Sequence, residues 1–420
     1  MEYLSQQAIA LVIFVVTYII LATEYRERTI AAMAGAGAVW AFGILTPEEM
    51  GSYLDLRAIG LLFGMMVIIG ALREGRFFQW LGIYVARLCR CKPYYLFIAL
   101  TGLSALLSAI LDNVTTVLFM VTVTLDLTEL AGLDPKPYVV SEIFASNIGG
   151  MSTLIGDPPN IMIASATGYS FAAFIINVAP VSLAAFLLTF LYLRKRYAIR
   201  SVAGEISPSE IPRVTLDRRL AFPGLVTLVA AIALFILQDA IGVYPTAVAL
   251  AGATVLLFMG GPRMPEILNK VEWSTLIFFG SLFIIVGALD KTGWLKFASQ
   301  SLVLLVGDNT ILGITVVLWV SSILSAFIDN IPFTAAFIPV LAELGRSGVD
   351  VYPLWWALSA GTGLGGNGTI IGASANVIAI GIAQARGVRI TFREFAKVGL
   401  PIMVLTTALG NLILVARFLL

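Results

Sequence analysis

Long apolar runs alternate with short polar connections along this chain, and the polar residues inside the runs carry as much information as the runs themselves. Stretches at 8–22, 29–45, 58–72 and 173–193, and again at 220–238, 245–259, 272–290 and 398–418, predict membrane-crossing helices. Each suits a hydrocarbon core about 30 Å thick. Two longer runs, 138–168 and 353–385, predict crossing helices interrupted in the middle. The first contains SNIGGMSTLIGDPPNIMIASAT, Ser146 to Thr167, and the second GGNGTIIGASANVIAI from Gly365. In hydrocarbon every backbone polar group needs a partner, so such a break survives only where it lines a cavity or is buried in protein.

The two breaks align. Gly149-Gly150 corresponds to Gly365-Gly366, Thr153-Leu154-Ile155-Gly156 to Thr369-Ile370-Ile371-Gly372, and Asn160 to Asn376. Paired interrupted helices in two halves are the best sequence pointer to a transporter's binding site. Each half also holds an apolar stretch with a polar centre: LSAILDNVTTVLF within Tyr94–Leu125, and LSAFIDNIPFTAAF within Thr310–Leu341. An acid–amide pair at the centre, Asp112-Asn113 or Asp329-Asn330, suits the tip of a re-entrant hairpin; two complete short spans would instead make the repeats parallel.

Basic residues choose between these. Arg194, Lys195, Arg196, Arg200, Arg213, Arg218 and Arg219 place the central connection in the cytoplasm. Counting outward with re-entrant hairpins also puts the basic segment Arg73–Lys92, Arg263/Lys270 and Arg386–Lys397 inside. The expected fold class is therefore an all-α polytopic membrane protein of two inverted repeats, each of five transmembrane spans plus one re-entrant hairpin, with a discontinuous helix in each. The first repeat covers 1–193 (hairpin 94–125, broken helix 138–168), the linker 194–219, and the second repeat 220–420 (hairpin 310–341, broken helix 353–385). Both termini lie outside. Segments 76–90 and 293–306 are expected to lie along the interface.

Composition agrees: 59% of residues are hydrophobic and 12% charged, which excludes a soluble globular chain. A net charge of +1 gives no case for a nucleic-acid partner. The first apolar run lacks a basic leader and a small-residue cleavage site, so it reads as the first span. Cys89 and Cys91 flank Arg90 at a membrane edge; two thiols are too few for a zinc site, and no metal site or cofactor is expected. With no His in the chain, any proton work falls to carboxylates. No Walker-type loop is present, and no nucleophile–base constellation suggests an enzyme.

The candidate coupling residues are Asp112, Asp157 and Asp329, each costly at mid-depth unless paired, protonated or facing water. Asp112 and Asp329 are equally readable as N-caps of the helices that follow them. Asp157 before Pro158-Pro159 also has the form of a cap, a role open to Ser374 in the other half. Its repeat counterpart is Ala373, so the fold does not require an acid there. Asn113, Asn147, Thr153, Asn160, Asn330, Asn367, Thr369, Ser374 and Asn376 are the candidate substrate contacts, with interhelical packing as the competing role. Glu142 is a further candidate for proton relay.

The break SNIGGMSTLIGDPPNIMIAS, the LDN and IDN tips and the second break GGNGTIIGASANVIA resemble the ArsB/NhaD branch of the ion transporter superfamily. The resemblance covers essentially the full length and is strongest to ArsB arsenite/antimonite efflux carriers of prokaryotic plasma membranes. It implies a scaffold, a mobile transport domain, and export of As(OH)3 and Sb(OH)3 in exchange for protons, with a cytoplasmic ArsA-type ATPase as a compatible partner. The GDPPN signature is shared by NhaD-type sodium/proton antiporters and the eukaryotic P protein, so Na+/H+ antiport is the alternative, and a channel on the same fold a third. Related dicarboxylate carriers use Ser-Asn-Thr at the tips; Asp-Asn here argues against a carboxylate substrate.

Overall fold

The computed structural model describes residues 2–23, 25–89, 92–197, 214–307 and 309–419, and all regular structure among them is helical. Among the described residues seven helices are long and apolar enough to cross a membrane, including Leu56–Glu74, Arg218–Ile236, Trp273–Lys291 and Phe392–Leu419. The protein is a multi-pass membrane protein. Two expected spans come out differently. The run 29–45 forms a helix only over Arg28–Ala41, because the chain turns at Gly43 in the left-handed region (φ 66°) and re-enters a helix at Pro47. The run 173–193 divides into Phe171–Asn177 and Ala179–Arg196, with Pro180 at the start of the second piece. Arg194, Lys195 and Arg196 occupy that helix's last turn, where the helix dipole favours positive charge. Most of the linker that follows, including Arg200 and Arg213, lies outside the described residues, as do Arg90 and Cys91.

Helix boundaries recur between the halves. Starts at 28, 56, 77, 93 and 113 reappear at 245, 273, 294, 310 and 330, each 217 residues on. The same local chemistry sets them. Each hairpin is two helices around a four-residue tip: Pro93–Ser108 and Asn113–Leu130 in the first, Thr310–Ser325 and Asn330–Arg346 in the second. Asp112 accepts from the Thr115 amide at 2.7 Å and Asp329 from the Ile331 amide at 3.0 Å, so both acids cap their helices. The segments expected along the interface form separate helices, Phe77–Leu88 and Trp294–Val306, each preceded by a left-handed residue, Arg76 in one and Gly293 in the other.

The packing joins the halves reciprocally. In each half the first hairpin arm lies on the first half of its own broken helix, Pro93–Ser108 on Lys136–Gly150 and Thr310–Ser325 on Tyr352–Gly365. The second arm crosses over: Asn113–Leu130 packs on Ser374–Ala385, and Asn330–Arg346 on Pro158–Thr167. Outside this unit, Leu56–Glu74 packs on Pro245–Gly260 and Trp273–Lys291 on Arg28–Ala41. Small residues permit the close approaches. A Cβ on Gly64 would fall 2.6 Å from the backbone of Ala249, and one on Gly149 2.2 Å from the Ala105 carbonyl oxygen. Just before the second half's first helix Asp217 caps Arg218–Ile236 and hydrogen-bonds Arg263, and that bond holds its carboxyl below the usual carboxylate range.

Candidate functional site

Both long runs break where the sequence places the Gly pairs. The first half-helix ends at Gly150 and the second starts at Pro158; in the other half the ends are Gly365 and Ser374. Two of the backbone carbonyls at each break are met by one Asn. Asn160 Nδ2 donates to the carbonyls of Met151 (2.9 Å) and Thr153 (2.8 Å), and Asn376 Nδ2 donates to those of Gly366 (2.7 Å) and Thr369 (2.9 Å). Asn160 Oδ1 accepts from Ser359 of the opposite half at 2.6 Å. Thr153 and Thr369 donate to the carbonyls of Ala109 and Ala326, tying each break to its own hairpin tip. These four side chains hold the breaks open.

A buried carbonyl stripped of its partner costs roughly 1–3 kcal/mol. Asn160→Ala orphans two such groups and Asn376→Ala one, because the Thr369 carbonyl also accepts from the Gly372 amide at 3.2 Å. The first should lose about 2–6 kcal/mol and the second about 1–3 kcal/mol on that arithmetic, read as lowered melting temperatures of the detergent-solubilised protein. Wild-type melting in either one would show that the carbonyls find other partners.

The centre of the molecule is Asp157, 2% exposed. Although it occupies the N-cap position, it makes no side-chain cap bond. The reason is local: a cap serves the amides of the second and third helical residues. The second is Pro159, which has no N–H, and the amide of the third, Asn160, already bonds the Asp157 carbonyl at 2.9 Å. The carboxylate is thus left for other partners. Asn113 from the first hairpin tip donates to Oδ1 at 3.3 Å, and Asn330 from the second tip donates to Oδ1 at 3.2 Å and Oδ2 at 3.1 Å. Both Asn side chains are buried. The two tips therefore close on a single carboxylate, and the residue before each of these Asn side chains is itself an acid, Asp112 in one tip and Asp329 in the other.

The second break is built differently. Its N-cap is Ala373, with no side chain to serve as a cap, and Ser374 does not take that role because it is already the first residue of the helix. Its hydroxyl instead donates to Asp329 and accepts from Arg28. One break thus presents an acid and amide donors, the other a hydroxyl and a paired acid.

Asn147 Nδ2 donates across the halves to Asn367 Oδ1 (3.0 Å) and Asn376 Oδ1 (2.9 Å), while Asn147 Oδ1 and Asn367 Nδ2 keep no partner among the described residues. Glu142, fully buried, accepts from Thr124 through Oε1 and leaves Oε2 unpartnered among the described residues. No group of three His, Cys, Asp or Glu side chains comes together as a metal site among the described residues. Cys89 is half-buried and free. The residues that sequence reasoning missed are Ser359 and Arg28, both bonded to partners far along the chain.

Two hairpins whose tips meet two broken helices around a buried acid, inside a multi-pass helical membrane protein, define a secondary transporter. Residues 18–361 match the CitMHS family, described as citrate transporters, and the chain belongs to that family. An uncharacterized transporter of Mycobacterium tuberculosis is 36% identical over 423 residues, covering 98% of each chain. The P protein of Homo sapiens is 32% identical over 496 residues, which cover 97% of this chain and 59% of that protein. The crystal structure of the Alcanivorax borkumensis YdaH transporter shares the fold, with a TM-score of 0.63 at 14% identity over 98% of this chain and 97% of that one.

Proposed function

We propose that this protein exports trivalent metalloid hydroxides, arsenite and antimonite, across a prokaryotic plasma membrane in exchange for protons. The observation that carries the reading is the Asp157 carboxylate held between Asn113 and Asn330 of the two tips. As(OH)3 is a neutral, hydroxyl-rich molecule, and a site of amides, hydroxyls and one exchangeable carboxylate can accept and donate to it without needing a compensating charge. A proton on Asp157 would loosen both tips, because a protonated acid accepts fewer hydrogen bonds. Proton and substrate would then compete for one group, which is the essence of exchange. Asn367 and Asn147, each with a polar atom left without a partner among the described residues, are the next candidates for substrate contact, and Asp112 and Asp329 for proton coupling.

The same reading takes the hairpins as re-entrant, the repeats as inverted, the linker as cytoplasmic and both termini as external. It leaves the cytoplasmic face open to an ArsA-type ATPase. Hairpins and breaks would move as one unit against the scaffold, since Thr153 and Thr369 bind each tip to its break. The family's description names citrate, but a tricarboxylate would be repelled by the Asp157 carboxylate on which both tips close, so citrate is not the substrate proposed. Na+/H+ antiport is the second reading, favoured by the acids Asp112 and Asp329 standing next in the chain to the two Asn residues that hold the Asp157 carboxylate.

Arsenite, antimonite, sodium and citrate fluxes measured side by side in proteoliposomes under an imposed pH gradient test this. Metalloid uptake with sodium and citrate inert is the expected outcome. Sodium-coupled proton movement without metalloid flux would assign the acids to cation binding instead.

A further inference from the structure

We propose that Arg28 is a resident counter-ion that latches the moving unit to the scaffold and must let go of Asp329 in every transport cycle. The inference rests on the division into scaffold and moving unit made above, and not on which substrate is carried.

Arg28 is the first residue of the helix Arg28–Ala41, at the end where the helix dipole disfavours a positive charge. Its counterpart 217 residues on is Pro245, the first residue of Pro245–Gly260, so the fold does not demand a cation there. The helix start is served by Glu27, whose carboxylate accepts from the Ile30 amide at 3.1 Å and from Thr29 Oγ1 at 2.9 Å. Arg28 is therefore free of any capping task.

Its guanidinium is held from the scaffold side. It lies over the Phe278 ring, 5.5 Å from the centroid, on Trp273–Lys291. From there it reaches into the other unit at two points. One Nη1 hydrogen bonds Ser374 Oγ of the second break, and the same Nη1 stands 3.9 Å from Asp329 Oδ2 of the second hairpin tip. Ser374 passes the contact on by donating to Asp329. A single scaffold cation thus grips both the tip and the break.

The pair is neither dry nor freely solvated. Arg28 is 27% and Asp329 20% exposed, on the wall of a cavity of about 400 Å³ also lined by Leu21, Phe278 and Ile378. A fully buried ion pair would be too costly to separate repeatedly, because each released charge would be left desolvated. A surface pair would hold almost nothing. Water in this cavity can solvate both partners as they part, which suits a contact made and broken during turnover. While Arg28 is in place, Asp329 already has its cation, so a transported cation would have to displace it.

The test uses the full chain with both cysteines replaced by Ser and a reporter, Ile378→Cys, on the cavity wall. In proteoliposomes, without any substrate, the labelling rate of that thiol by a membrane-impermeant maleimide reports how the unit sits. Arg28→Gln is expected to raise the rate severalfold and slow transport, and Arg28→Lys to restore much of both. Ser374→Ala, which removes only the bridging hydroxyl, is expected to shift labelling the same way by less. Parental labelling rates in both Arg28→Gln and Ser374→Ala would overturn the latch, as would failure of Arg28→Lys to recover either readout. If Arg28→Gln does not reach the membrane, Ser374→Ala decides on its own. Absence of metalloid flux in the parent would sink the substrate reading and leave the labelling result standing.

Discussion

Asp157→Asn should reach the membrane, fold, and fail to couple transport to a proton gradient. The side chain keeps its shape, and since Asp157 caps nothing, no helix start is lost with its charge. What changes is the meeting of the tips. An amide oxygen at the Oδ1 position can still accept from both Asn113 and Asn330, but neither bond is then to a charged group, and the NH2 that replaces Oδ2 meets Asn330 donor to donor. Hydrogen bonds to a charged group are worth roughly 1.5–3 kcal/mol each, so gradient-driven flux should fall by at least about tenfold. The thermal midpoint should move little by comparison. Normal proton-driven transport by the variant would remove Asp157 from the coupling role.

The largest structural effect is expected at Gly149. A Cβ there would sit 2.2 Å from the Ala105 carbonyl oxygen and 2.7 Å from the Ala105 Cα, both rigid backbone atoms of the first hairpin arm. Neither can turn aside as a flexible side chain could. Gly149→Val must therefore push the arm off the broken helix, at a cost of about 3 kcal/mol or more, at the upper end for overpacked cores. Aggregation or loss of the detergent-solubilised protein is the expected result. Gly381 is the control: it lies within Ser374–Ala385 and has nothing within 4 Å of where a Cβ would be. There Gly381→Ala should stabilise by roughly 0.5–1 kcal/mol, since helical Gly is unfavourable for its backbone entropy. Opposite signs in one thermal-melting series check the packing directly. Equal melting of the two variants would contradict it.

The breaks and hairpins were legible because a polar group inside an apolar run is expensive, so each one advertises a local reason to be there. Caps were legible for the same cause: Asp112 and Asp329 meet amides within three residues. That Asp157 does not cap was within reach of the sequence too, since Pro159 removes the amide it would have served. The partners of the Asn residues were not. Asn160 and Asn376 looked like ligands for a solute, yet their amides hold the carbonyls of their own breaks, a role set by how the chain turns back on itself. Ser359 and Arg28 escaped altogether, because their partners lie 199 and 346 residues away and only the crossing of the halves brings them near. The length of Arg28–Ala41 was overestimated because hydropathy continues through a turn that Gly43 makes.

The crossing of the second hairpin arms also sets an order of events during synthesis. Asn330 lies 173 residues after Asp157, so at about 5–20 residues per second the acid waits roughly 9 to 35 seconds for that partner. Through that interval the half-helix Pro158–Thr167 also lacks Asn330–Arg346, the arm that packs on it. Neither half can complete its own centre while it is alone in the bilayer. The first half must be held by the insertion machinery or by lipid until the second arrives, and a chain stopped between residues 193 and 330 is a natural target for membrane quality control.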